Sequence, residues 1–126
     1  ARKWKEENGS DCAFISKLDS IMWSDFSMTG GYELNGIEGF MGAMDYLVST
    51  YTKTMHLIGN IDGSWDGDIY NGNTYCVASH IFEENGQMKK LDMGIIYEDT
   101  LERRDGAVKF VNRNFNLQWQ KTDSID

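Results

Sequence analysis

The sequence predicts an α+β fold, and three observations carry the prediction. Helical spacing of apolar residues is confined to the first part of the chain. Long segments of two-residue alternation fill the remainder. Short turn signals, among them Asn85-Gly86 and Asp105-Gly106, separate those segments. Four long strands in an antiparallel meander, with helices packed against one face, give a strongly curved sheet. Such a sheet closes into a cone around a pocket. The 126 residues form one domain, residues 1–126.

Residues 1–8 are good helix formers with Trp4 as the large apolar anchor. Asn8-Gly9 ends that helix, and Asp11 is the N-cap of a second. Phe14, Ile15, Leu18, Ile21 and Met22 give the second helix its apolar stripe. Residues 24–29 alternate in part and read as a short strand that Gly30-Gly31 breaks. Asn35-Gly36 is a turn or helix start, and Ile37, Phe40, Met41, Met44, Leu47 and Tyr51 define a third helix. The long strands are expected at residues 52–61, 74–84, 88–103 and 107–120. Residues 62–68 suggest a bulge and then a turn, and Gly67 competes with Asn71-Gly72 for the first hairpin. The polar tail, residues 121–126, is expected to fray.

Composition narrows the function. Hydrophobic residues are 40%, aromatic residues 13% and charged residues 25% of the chain, a soluble globular balance. A net charge of -8 repels phosphate backbones, so nucleic acid is not an expected partner. No apolar run approaches the roughly 20 residues that span a bilayer, and no secretory signal is visible. A cytoplasmic location is expected, with Cys12 and Cys76 as reduced, buried thiols. The aspartates of residues 62–68 do not have calcium-loop spacing.

Alternation assigns faces to the strands. His56, Ile58 and Asn60 share one face of the first long strand. Thr74, Cys76, Ala78, His80 and Phe82 share one of the second, and Leu91, Met93, Ile95, Tyr97 and Asp99 one of the third. On the fourth, Val111, Arg113, Phe115, Leu117 and Trp119 form one set. His56, His80 and Asp99 take comparable places on successive strands and are expected to converge. A carboxylate on an apolar face needs a partner, and a histidine or Arg113 would serve Asp99. An Asp-His pair makes a better base, and Tyr97 offers a hydrogen bond to a carbonyl or enolate. Proton abstraction beside a carbonyl, elimination of water and isomerisation all suit that set. The same two histidines and aspartate also make an alternative metal triad, but neither a metal nor another cofactor is expected.

The run T-M-H-L-I-G-N at residues 54–60, A-S-H ending at His80, Y-E-D-T-L-E-R-R-D-G-A-V-K-F at residues 97–110 and N-L-Q-W ending at Trp119 resemble SnoaL-like proteins. These belong to the nuclear transport factor 2 superfamily, and the branch with scytalone dehydratase and bile acid 7-alpha-dehydratase is the most similar. The resemblance implies a cone-shaped α+β barrel, a homodimer or higher homo-oligomer through the outer sheet face, and chemistry without a cofactor. It implies that His56 and His80 work in the pocket, with Tyr97 as a polar residue on the next strand. Its N-terminal helix should carry a Tyr and an Asp that supports the first histidine. Here the acidic position falls near Asn8, and the Tyr position falls among Lys3, Trp4 and Glu7, with no Tyr present. Glu7 replaces the acid if the helix register shifts, and otherwise Asp99 takes its role.

The expected function is a lyase or isomerase (dehydratase, isomerase or cyclase) using histidine acid/base chemistry. Its substrate would be a hydrophobic cyclic carbonyl compound of polyketide, terpenoid or steroid type. His56, His80, Asp99 and Tyr97 are the candidate catalytic residues. Trp4, Glu7, Asn8, Ile58, Phe82 and Ile95 are the candidate pocket lining. Two alternatives stay open: a binding protein that leaves its ligand unchanged, and an accessory subunit of an oxygenase.

Overall fold

The computed structural model describes residues 17–126. The expected helix at residues 1–8, its Asn8-Gly9 stop, Asp11 and Cys12 lie outside that range. So do Trp4, Glu7 and Asn8. The described chain begins in a helical turn at Lys17 that closes when Ser20 N and Ser20 Oγ both donate to Lys17 O. Strand β1, Met22–Thr29, follows directly. The expected second helix therefore stops short of Ile21 and Met22. Those two residues fit a helical stripe with Leu18, but Met22 equally begins the alternation Met22, Phe26, Met28 that β1 buries.

Strand β2, Leu34–Asn35, is a two-residue edge that the sequence did not announce. Helix α1, Gly36–Thr50, follows and matches the expected third helix. Asn35 is its extended N-cap residue, and the Tyr51 N–H closes the last turn on Leu47 O at 3.0 Å. Four long strands complete the chain: β3, Lys53–Asp66; β4, Ile69–Glu84; β5, Gln87–Arg104; and β6, Ala107–Ser124.

Turn chemistry joins the long strands. Asn85 and Gly86 lie at φ 53° and 75°, and Asp105 and Gly106 at 51° and 82°. Positive φ at both central residues is the hairpin geometry that follows the right-handed twist of the strands. Gly67, at φ 60°, takes the β3–β4 turn. Asn71 and Gly72 run on inside β4. The tail departs from expectation, because β6 continues to Ser124 and Ile125 N donates to Met88 O at 3.0 Å. Pairing with the start of β5 holds residues that composition alone marks as frayed.

The six strands form one curled, unclosed sheet in the order β2-β1-β6-β5-β4-β3. All pairings are antiparallel except β1 with β6, which is parallel. That contact brings the early strand across to the last one. Helix α1 then lies over the sheet, with Ile37, Phe40 and Met41 against the core and Phe40 edge-on to Phe26 at 6.3 Å. The core proper is Leu18, Met22, Phe26, Met28, Cys76, Ala78, Ile95 and Tyr97. Cys76 is a buried free thiol. Among the described residues no helix is long and apolar enough to cross a membrane.

Candidate active site

Directly opposed residues on neighbouring strands share a face. The register therefore sorts the inner face into rungs. Thr74, Cys76, Ala78 and His80 of β4 are all buried. His80 stands between Thr54 of β3 and Leu91 of β5. His56 stands opposite Ala78, one rung along. The two imidazoles meet edge to face, with ring centroids 6.3 Å apart. Tyr51, at the end of α1, packs on His80 at 4.7 Å and on Phe82 at 6.1 Å.

The two histidines are prepared differently. His80 Nδ1 lies 3.2 Å from Leu91 O. A carbonyl only accepts, so this contact needs the proton on Nδ1 and leaves Nε2 with its lone pair. His56 sits on the exposed edge strand, with its ring turned to His80. Burial of the ring, then the neighbouring His80 and then Arg113 hold its pKa below the ordinary histidine value. His56 is therefore a neutral base at neutral pH.

Asp99 lies elsewhere. It pairs across the sheet with Gly72 and Arg113, eight residues along β5 from Leu91. At about 3.4 Å per residue that is roughly 27 Å of strand. Of the three residues expected to converge, the two histidines adjoin, and Asp99 stands on another rung bonded to neither of them. The positions looked comparable because hairpin pairing runs the two strands in opposite directions from Asn85-Gly86. Asp99 accepts from Arg113 Nε at 2.7 Å, Arg113 Nη2 at 2.9 Å and Thr74 Oγ1 at 2.8 Å. A side chain 4% exposed is thereby fully satisfied. Among the described residues no group of three or more His, Cys, Asp or Glu stands close enough to hold a metal ion.

Arg113 links the two ends of this face. Its guanidinium lies over the Tyr97 ring at 4.1 Å and the Phe110 ring at 5.1 Å. Its field reaches both Cys76 and His56. Tyr97 is 6% exposed, and burial, with Cys76 beside it, pushes its phenol up to about 12. It therefore stays a donor at any physiological pH. Of the expected lining, Ile95 is core, Ile58 opposes Cys76, and Phe82 opposes Lys89 against Tyr51.

Three irregularities move side chains from the faces that strict alternation assigns. A bulge between Ile58 and Ile61 puts Ile61 opposite Thr74, so Asn60 no longer continues the face of His56 and Ile58. In β6, shifts opposite Gly94/Ile95 and Thr100/Leu101 bring Phe110 to the inner face and send Trp119 to the outer one. Alternation puts Thr74 on this face without giving it a role, and helical spacing gives Tyr51 only as an apolar residue of the third helix. The signal for Thr74 was its position on the same face as an aspartate that needed donors.

Residues 16–114 match the family model for the SnoaL-like domain. No curated protein sequence matches significantly. Among solved structures, a hexachlorocyclohexane dehydrochlorinase of type 2 is 25% identical. The match covers 88% of this chain and 75% of that one, with a TM-score of 0.74. The type 3 enzyme of Novosphingobium barchaimii is 24% identical over 89% and 78%, also with a TM-score of 0.74. A scytalone dehydratase-like protein of Novosphingobium aromaticivorans is 16% identical over 92% and 78%, with a TM-score of 0.72. The last two show likeness of fold.

Proposed function

Because the chain belongs to the SnoaL-like domain family, we propose that it is a lyase that eliminates HX across adjacent carbons of a hydrophobic ring. The observation that carries this reading is the histidine pair, with a neutral His56 next to a tautomer-fixed His80. In the reaction His56 takes a proton from ring carbon. The C–H electrons become the new double bond, and the neighbouring C–X bond breaks with its pair on X. Arg113 and Tyr97 donate hydrogen bonds to the oxygen or halogen where negative charge grows. His56 then returns its proton to water along the exposed edge of β3. Both substrates named by the structural neighbours, hexachlorocyclohexane and scytalone, are suitable probes. This chemistry asks for no cofactor.

The test is chloride release from the first probe and loss of water from the second. His56→Ala and His80→Ala should each lower turnover by at least about a hundredfold. Near-normal turnover in both variants would remove the mechanism. One observation favours a second reading, a binding protein. Asp99 is committed to Arg113 and Thr74, and no carboxylate among the described residues is hydrogen-bonded to either histidine. On that reading both probes bind and are recovered unchanged.

The outer sheet face supports a homodimer within the same proposal. Its middle rung, Leu57, Val77, Gly94 and Trp119, is apolar, with Met55, Tyr75 and Ile96 beside it.

A further inference from the structure

Next to Asp99 the inner face has a gap in its side chains. The rung runs Gly63, Gly72, Asp99, Arg113 across β3, β4, β5 and β6. Two of its four positions carry no side chain. Tyr70, one rung further along β4, fills the space. A Cβ built on Gly63 would fall 2.3 Å from the Tyr70 hydroxyl, and one built on Gly72 would fall 2.2 Å from it. The ring thus lies back across both glycines, with its hydroxyl over the two of them. Opposed Cβ positions lie about 4.5–5.5 Å apart, so the hydroxyl stands within about 8 Å of the Asp99 Cβ.

The ring is held in place from behind. Trp65, its cross-strand partner, packs on it at 5.6 Å. Arg103 covers Trp65 at 4.6 Å and pairs with Asp68 at 3.3 Å. Among the described residues the Tyr70 hydroxyl has no hydrogen-bond partner, although the side chain is half-buried. The hydroxyl is not sealed from solvent, so its donor is free to pass from water to a ligand.

We propose that Tyr70 is a specificity-determining residue, whose hydroxyl donates to an oxygen on the ring of a neutral ligand seated beside the Asp99–Arg113 pair. The inference rests on the proposed elimination site on the inner face as ligand site and adds the ligand class: an apolar ring with one acceptor at the Arg113 end. The bidentate pair cancels its own charge, so a neutral acceptor suits this rung better than an anion.

Matched probes test it, 1-tetralone against the same ring without oxygen, tetralin, with dissociation constants from NMR titration. The wild type should bind 1-tetralone more tightly. Tyr70→Phe should weaken 1-tetralone about fivefold and leave tetralin unchanged. Gly72→Ala should do the same by displacing the ring, and it stands in if the first variant melts early. No preference in the wild type, or full preference in both variants, overturns the inference. His80→Ala separates this inference from the lyase reading, since it should keep the preference while losing turnover. A protein that turns over neither elimination probe but shows the Tyr70-dependent preference sinks the lyase reading alone. An active protein without the preference sinks the Tyr70 inference alone.

Discussion

At the residue scale, the site depends on which neighbour each titratable group has. His56 takes its low pKa from burial first, then from His80 and Arg113. The sign for stability follows. The unfolded chain, with an ordinary histidine near 6.5, takes up the proton before the folded one does. The His56 contribution is therefore complete above that pH and fades as the pH falls toward the folded value. The base form persists over the same window, so the acid limb of kcat/KM should lie below pH 6.5. Replacing His80 by Gln removes a neighbour whose charge opposes protonation of His56. His56 in that variant should titrate at a higher pH than in the wild type, as followed by its imidazole NMR signals. An unchanged or lower midpoint would mean that the two rings do not act on one another. Part of this was legible in the sequence. Both histidines, Tyr97 and Asp99 stood on the inner faces that alternation assigns. What alternation does not give is register. His80 and Asp99 share a face and lie eight positions apart on it, because the count must start from the hairpin turn rather than from each strand.

At the element scale, alternation was reliable wherever a strand was regular and failed where a bulge inserted a residue. Strand β4 keeps one parity from Thr74 to His80, and all four of its inward side chains are buried as read. Strand β6 does not, and alternation alone groups Trp119 with Arg113 because it does not see the shift. Glycine is the mark in retrospect. A Cβ on Gly94 would fall 2.1 Å from Trp119 Nε1, so the indole lies flat on a position that only glycine leaves open. Gly94→Ala should lift the ring. The expected cost is about 1 kcal/mol in urea unfolding, with a changed Trp119 emission maximum. A variant equal to the wild type in both would contradict this packing. The β3–β4 turn follows a related logic. Asn71-Gly72 carries a strong hairpin signal, but Gly67 already closes a tighter pair, with Asp66 opposite Ile69. Asn71 and Gly72 were thereby released to continue the sheet.

At the scale of the whole molecule, the sheet has two faces with different work. The inner one is covered by α1 and holds the histidines. The outer one is left open, and its rungs change character along the strands. At one end stand Asn112, Thr100 and Asn71, then Asn114, Glu98 and Asn73. At the other end, Lys90 pairs with Asp92 and Lys121 with Asp123. Between them lies the apolar band, with Met55 73%, Leu57 69% and Trp119 51% exposed. Large apolar side chains ringed by polar ones suit the dimer interface proposed above. A two-fold axis through the band would place like rungs against each other, and an interface of standard size buries about 1,600 Å² in total. The net charge of -8 opposes association of two copies at long range. Near the band, however, the charges are already paired within each copy, so contact brings little further repulsion. Light scattering behind gel filtration should therefore give the wild type twice its 14.4 kDa. Trp119→Glu puts a charge in the middle of the band and should return the chain to 14.4 kDa with its fold intact by circular dichroism. A wild type that is already monomeric at high concentration would leave the band without this partner. A dimer that survives Trp119→Glu would place the interface on another face, with the edge of β3 next in line because no strand among the described residues pairs with its outer side.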